Sequence, residues 1–177
     1  MTPSLLHKQH GTVLILSLLL LLVLTMLGLS SLQTTTMEEK MTGNMRDMNQ
    51  SFEATESALR EAERWLDKQT AEPSPGSIAF VYQKDTLPDL TTQSHSWWTN
   101  NANTAEYANV GTGSTALSEV GSQPRFTLEH RAFIPDSLVR GYEPPKGKNI
   151  YQATARGTGG SDTAQSIVQN TFVKRFN

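Results

Sequence analysis

The chain has 177 residues, a formal net charge of −2 and no cysteine. This charge balance excludes a basic surface that recruits nucleic acid. The missing thiols exclude disulfides, thiolate metal sites and cysteine nucleophiles. Hydrophobic residues make up 37% of the chain, but much of this content lies in one N-terminal block. The composition therefore indicates an apolar segment followed by one polar domain with a modest core.

The apolar block predicts a membrane-spanning helix. Residues 12–32 contain no charged residue, and leucine dominates them. A helix that rises ~1.5 Å per residue crosses a hydrocarbon core of ~30 Å in ~20 residues. The ten preceding residues carry Lys8 and the amino terminus as positive charges and contain no acid. By the positive-inside rule, this places the amino terminus in the cytoplasm.

A cleaved secretory signal peptide is the alternative interpretation of this block. Small residues near Gly28, Ser30 and Ser31 could mark a cleavage site. However, the apolar run exceeds the usual h-region of about 7–15 residues, and the helical pattern continues past that site. One helix, half in lipid and half in water, is therefore favoured, with a local bend or an unwound turn at Gly43.

A stripe of mostly apolar residues continues along the helix after the membrane segment. Its members alternate spacings of four and three: Met41, Met45, Met48, Phe52, Thr55, Leu59, Ala62 and Leu66. Such a 3.5-residue repeat packs against another helix or a sheet. We expect the later members to pack on the chain's own head. We expect the three methionines, which fill irregular gaps, to pack among other helices.

The rest of the chain predicts a head with an antiparallel sheet on the upper half of the helix, an α+β fold. Turn-rich residues 70–77 end the helix, and residues 77–83 form a short edge segment or strand. Residues 87–124 are interpreted as an extended loop region, held by Trp97, Trp98 or both, with a short helix over 97–102. A binding surface there is the alternative to a packed loop. Alternation predicts three further strands, over residues 125–133, 149–156 and 164–176.

A glycine-rich hairpin loop is predicted to join the last two strands. It covers residues 157–162, and its glycines 157, 159 and 160 are expected to supply positive φ angles or tight turns.

The sequence offers no catalytic constellation. The GTGGS string at residues 157–161 lacks the following helix and the lysine of a phosphate-binding loop. His95 and His130 are too few and too scattered for a metal site or a triad. No serine lies in a G-x-S-x-G motif. We therefore predict no catalytic, cofactor-binding or metal-binding residue, and a protein that is not an enzyme.

Three strings resemble PilX-type minor pilins of bacterial type IV pili. TTTMEEKMTGNMRDMNQSFEATESALREAERWL, at residues 34–66, is similar to the amino-terminal signature of that family. PRFTLEHRAFIPDSL is similar to its strand-plus-turn segment, and ATARGTGGSDTAQSIVQNTFVK to its closing hairpin. The middle, residues 72–123, matches weakly.

The resemblance implies a type IV pilin-like fold and a division of the chain into four parts. Residues 1–11 would be a prepilin leader, and residues 12–33 the transmembrane helix. Residues 34–69 would be the amphipathic extension of that helix, and residues 70–177 a periplasmic or extracellular head. A prepilin peptidase would cut after Gly11, and Thr12 would become an N-methylated amino terminus.

Two departures from the pilin pattern concern the start of the mature chain. Most type IV pilins begin with Phe, where this chain has Thr12, and carry Glu at the fifth position, where it has Leu16. That Glu is taken to pair with the amino terminus of an adjacent subunit. The tip pseudopilin of the related type II secretion system also lacks it, and a tip subunit has no subunit ahead to attract.

The resemblance thus implies a minor pilin that takes part in type IV pilus assembly, at or near the fibre tip. Its implied partners are other minor pilins, the major pilin, a tip adhesin, the prepilin peptidase and the inner membrane. The alternative is a single-pass membrane protein with a periplasmic binding head that joins no fibre. A secreted enzyme with a cleaved signal peptide is a third interpretation. The lack of a catalytic or metal-binding motif in the sequence argues against it.

Overall fold

The computed structural model describes residues 11–137 and 146–176. These residues belong to two units, which divide between Gly43 and Asn44. The elements in chain order are α1 Thr12–Lys68, β1 Val81–Gln83, α2 His95–Trp98, β2 Ala105–Glu106, β3 Arg125–Pro135, β4 Gly147–Thr158 and β5 Gln165–Lys174. Helix α1 is assigned without interruption through both units, so the unwound turn expected at Gly43 does not form.

The first unit contains the apolar part of α1. In the described part of the chain, α1 is the one helix long and apolar enough to cross a membrane, and its apolar window is not buried. Two of its hydroxyls bond within the helix: Ser17 donates to the Leu14 carbonyl at 2.9 Å, and Thr25 donates to the Leu22 carbonyl at 2.8 Å. These internal bonds satisfy the protons of both hydroxyls without an external partner.

The second unit packs the polar part of α1 on a five-stranded sheet. The strand order is β1-β3-β4-β5, and β2 also pairs with β3. The long strands β3, β4 and β5 are antiparallel neighbours, as predicted, whereas β1 pairs with β3 in parallel. The α+β class and the helix-on-sheet arrangement are confirmed, with a sheet that is mixed because of β1 alone.

The core lies between α1 and one face of the sheet. Small residues of α1, among them Ala58 and Ala62, are fully buried there beside Trp65 and Leu66. The sheet contributes a second set of buried side chains, Phe126, Leu128, Tyr151, Ala153 and Ala155. Phe80 connects the two sets, with ring centroids 4.8 Å from Trp65 and 5.5 Å from Phe126 in edge-to-face arrangements.

The opposite face of the sheet is covered by part of the segment between β1 and β3. Trp98 is its anchor and is completely buried. The predicted helix over 97–102 forms earlier, as α2, because the Ser94 hydroxyl accepts a bond from the Trp97 amide and caps it. The Thr104 hydroxyl donates to the Trp98 carbonyl at 2.5 Å and accepts from the Arg125 guanidinium at 3.2 Å. This segment is therefore a packed loop, tied to the first residue of β3.

The hairpin between β4 and β5 differs from the prediction in its boundaries. Strand β4 continues to Thr158, so Gly157 lies in the strand, paired with Ser166, and the loop covers residues 159–164. Glycines 157, 159 and 160 are not among the described residues with positive φ. The expected positive φ is wrong. Gly157 and Gly159 instead lie where the sheet meets α1 most closely.

Candidate assembly interface

The predicted processing position lies at the start of α1. Gly11 has a φ of +69° and directly precedes Thr12, the first residue of the helix. No atom lies within 4 Å of where a Cβ on Gly11 would be, so a side chain there would meet backbone strain and no clash. Residues 1–10 of the predicted leader lie outside the described residues. Leu16, at the fifth position counted from Thr12, is exposed in the first unit.

The stripe on α1 divides into an exposed part and a buried part. Met41, Met45, Met48 and Phe52 expose 64%, 58%, 52% and 47% of their surface. Beyond them, Thr55, Leu59, Ala62 and Leu66 are buried in the second unit. Within the second unit, the buried residues of α1 begin at Ser51, and this limit divides the stripe.

A polar cluster connects α1 to the β4–β5 hairpin beside this limit. The Ser161 hydroxyl donates to the Asp47 carboxylate at 2.6 Å and holds the pKa of that carboxyl below its usual value. One turn along, the hydroxyls of Ser51 and Ser166 are 2.7 Å apart, and the Thr55 hydroxyl contacts the Ser166 carbonyl oxygen at 3.1 Å. These bonds fix the hairpin on the helix where apolar contacts are few.

A second polar cluster, which the sequence did not reveal, is centred on Glu61. Its carboxylate is buried on α1 and accepts bonds from the Thr112 hydroxyl, the Ser114 hydroxyl at 2.5 Å and the Arg64 guanidinium at 2.8 Å. Burial raises the pKa of Glu61, but these donors outweigh it, and the pKa lies below its ordinary value. Lys68 extends the cluster by donating to the Thr112 carbonyl at 2.9 Å.

The only sequence signal for this cluster is the position of Glu61. It lies three residues after Ala58 and one before Ala62, at the edge of the buried face, where a carboxylate requires partners. The identity of those partners, on a loop about fifty residues away, could not be read from helical periodicity.

The two histidines beyond the apolar segment have separate structural partners. His130 Nε2 lies 2.8 Å from the Asn149 side-chain oxygen, and His95 Nδ1 lies 3.2 Å from the Arg156 guanidinium. Among residues 11–137 and 146–176, no group of three or more His, Cys, Asp or Glu side chains could hold a metal ion. In the second unit, α1 therefore has one exposed face, and hydrogen bonds hold the loops of the sheet on the helix.

Comparison with known proteins gives the same class of protein as the fold. A long N-terminal helix packed on a sheet defines a pilin-like α+β protein. Two family models match the chain, PilX N-terminal over residues 10–60 and type IV pilus assembly protein PilX C-term over residues 41–174. The chain belongs to the PilX family and is a minor pilin related to the type IV pilus. No curated protein and no solved structure matches it.

Family membership and the apolar part of α1 together indicate membrane anchoring and association with the pilus. The PilX family is a structural family of pilins.

Proposed function

We propose that this minor pilin belongs to a complex at or near the fibre tip that initiates pilus assembly. It is first an inner-membrane protein with a cytoplasmic amino terminus, anchored by residues 12–33. Prepilin peptidase removes residues 1–11, and the part from residue 70 onward forms the head outside the cytoplasm. Its partners are other minor pilins, the major pilin and a tip adhesin. It acts by binding these proteins and catalyses no reaction.

The observation that carries the tip position is Leu16. A carboxylate at the centre of a membrane-spanning helix costs ~2.5–3.5 kcal/mol on insertion scales. Position 16 lies nearer the end of residues 12–32 and carries part of this cost, so a carboxylate there is retained where it has a partner. A subunit inside a fibre has the amino terminus of a neighbour as that partner. A subunit at the tip has neighbours below it and none ahead. Leu16 forms no ion pair with a neighbouring amino terminus and carries no cost of inserting a charge into the membrane. It is therefore compatible with a position at the tip.

The exposed part of the stripe supports assembly over the unassembled alternative. A single anchored protein has little use for a row of methionines on the surface of its helix, and three such residues are exposed at Met41, Met45 and Met48. Methionine adapts to irregular surfaces, so these side chains suit contact with the helices of several different subunits.

The test is to restore the acid with Leu16→Glu. An unpaired carboxyl should make the protein insert less well and support fewer surface pili, with no gain in its incorporation. The measurement is the amount of this protein in sheared pilus fractions, divided by its amount in membranes. Leu16→Gln is the matched control, because it has similar size and polarity without the charge.

Two results would separate the alternatives. If Leu16→Glu spreads along the fibre in larger numbers while membrane levels hold, a neighbour's amino terminus is within reach and the tip position is wrong. If the unaltered protein is never found in sheared fibres, the unassembled membrane protein is the better description.

A further inference from the structure

Strand β5 forms an open edge of the sheet. It contains ten residues, Gln165–Lys174, and its one strand neighbour is β4. Among the described residues, none forms a strand along its outer side. The opposite edge is different, because the strands that border β3 there have only three and two residues. Short edge strands are one of the devices that prevent unwanted pairing, and β5 is long.

The backbone of β5 presents a regular row of hydrogen-bonding groups at this edge. The Gly159 amide donates to the Ala164 carbonyl at the start of the β4–β5 ladder. Since antiparallel strands alternate, even-numbered residues of β5 bond to β4 and odd-numbered residues face outward. The Thr171 amide fits this alternation, because it donates to the side-chain oxygen of the neighbouring Asn170 at 2.8 Å. The outward groups belong to Gln165, Ile167, Gln169, Thr171 and Val173.

The composition of β5 does not protect this edge. Residues 165–173 contain no charge, no proline and no glycine, and they include the good strand formers Ile167, Val168 and Val173. Lys174 is the one charged residue, and its ammonium group is occupied by the Leu66 and Asp67 carbonyl oxygens of α1. A soluble protein that left such a strand uncovered would risk aggregation, so a covering strand is expected in the assembled state.

The uncovered side of α1 lies next to this edge. Met48 contacts the Ser166 hydroxyl of β5 through its sulfur at 3.8 Å, and Leu66 accepts the bond from Lys174 near the other end of the strand. At about 100° per residue, Phe52 and Leu59 lie within about 40° of these two residues around the helix axis. A strand added at the usual spacing of about 4.8 Å beyond β5 would therefore cover Phe52, which is 47% exposed.

Two acidic residues lie next to Phe52 on α1, on the side away from β5. By the same helical geometry, Glu56 and Glu63 follow Phe52 and Leu59 around the helix. Glu63 is exposed and has no ion-pair partner among the described residues, while Glu56 pairs only with the exposed Arg60 at 3.3 Å. A second copy of this chain, paired through its own β5, would bring a second row of these acids to the same surface. That like-charge contact disfavours a second copy.

We propose that the β5 edge and the Met48–Phe52 side of α1 bind an extended segment of another protein by strand addition. The segment has an apolar side chain that faces the exposed Phe52, and at least one basic side chain that reaches Glu56 or Glu63. Main-chain bonds to the outward groups of β5 that are not already paired supply affinity, and the side chains of the segment supply selectivity. The proposal does not depend on the tip position, because a subunit anywhere in the fibre could bind such a segment.

A cysteine ladder in the full-length chain tests the register of the added strand. Since the protein has no cysteine, single variants Ile167→Cys, Gln169→Cys, Thr171→Cys and Val173→Cys each carry one unique thiol. Each is labelled with a short photoactivatable thiol reagent in piliated cells, and the cross-linked residue is identified by mass spectrometry. The expected result is four cross-links to one segment, at positions two residues apart and in continuous order. Thr92→Cys, on an exposed loop, is the control.

Two substitutions test the backbone and charge components separately. Ile167→Pro removes an outward amide and no bond to β4, so it should lower cross-linking from Gln169→Cys about tenfold, with Ile167→Ala within about twofold of the parent. Glu63→Lys should lower it as well. Glu53→Lys, on a different side of the same helix, should not.

The cross-linking pattern of the four cysteine variants decides the proposal even if the proline variant folds poorly. Cross-links that are absent, that scatter without register, or that reach only a second copy of this chain would each overturn it. Equal cross-linking in Glu63→Lys and Glu53→Lys would overturn the basic character of the segment. A failed tip prediction at Leu16 would leave the ladder result unchanged, so the two proposals fail independently.

Discussion

Gly157 controls how closely β4 approaches α1, and replacing it should separate the two. A Cβ at this position would lie 2.6 Å from the Ser51 carbonyl oxygen and 2.6 Å from both the amide and the hydroxyl of Thr55. Ordinary contact begins at 3.4 Å, so the backbone of the helix or the strand must move by about 0.8 Å. Two of the three atoms are backbone atoms, which no rotamer change can relieve.

The cost of Gly157→Ala follows from this overlap. Overpacking a well-packed site costs typically 1–3 kcal/mol, and rigid backbone on both sides favours the upper end, about 2–3 kcal/mol. The lower entropy of the unfolded alanine chain offsets roughly 0.4–1 kcal/mol. A net loss of about 2 kcal/mol should lower the melting temperature of a unit of this size by roughly 6–10 °C.

The assay is thermal unfolding of the second unit, from Asn44 onward, followed by near-ultraviolet circular dichroism of its tryptophans. Gly160→Ala is the matched control, because its Cβ would meet the nearest atom, an Asp47 carboxylate oxygen, at an ordinary 3.5 Å. We expect the control to melt within about 2 °C of the parent. A Gly157→Ala protein as stable as this control would refute the close-approach argument.

Three further predictions concern the buried carboxylate, the buried tryptophan and the processing position. Glu61→Ala should destabilise the second unit by about 2–4 kcal/mol through loss of charge-assisted bonds, measured by urea unfolding. Because the folded pKa of Glu61 lies below its ordinary value of 4.5, its stabilisation is complete above that pH and is lost as the pH falls below it. Glu61→Gln should therefore flatten the acid limb of stability against pH, and an unchanged limb would contradict this. Trp98→Ala should cost about 3–5 kcal/mol in the same urea assay, whereas Trp97→Ala, at a half-buried site, should cost clearly less. Gly11→Val should leave a precursor ~1 kDa heavier on mass spectrometry of the membrane protein, and an amino terminus near Ser31 would instead establish a cleaved signal peptide.

The sequence predicted the elements whose pattern is local. Alternation located β3, β4 and β5, and helical spacing located α1, because these signals are contained within each element. The parallel pairing of β1 was not predicted, since three residues carry no information about strand direction. The partners of Glu61 were also not predicted. A hydrogen bond between a helix and a loop fifty residues away depends on the tertiary fold and leaves no periodic trace.

The regularly spaced apolar stripe on α1 did not coincide with the centre of the buried face. The centre of that face consists of small residues, Ala54, Ala58 and Ala62, with Ser51 at one end and Trp65 at the other. The large stripe residues lie to one side of this centre, on the side of β5. Small side chains are weak signals in a hydrophobic pattern, although they allow the closest contact between backbones.

Small residues on the two elements explain why the stripe is uncovered at one end. On the sheet side, Ala153, Ala155 and Gly157 face the helix and allow β4 to lie directly against Ala58 and Thr55. Among the described residues, β5 is the outermost strand on this side of the sheet. Phe52 then lies beyond the reach of the sheet and remains half exposed. The helix and the sheet thus pack closely at the centre of their interface and leave Phe52 exposed beside the open edge of β5. One added strand would cover both Phe52 and this edge.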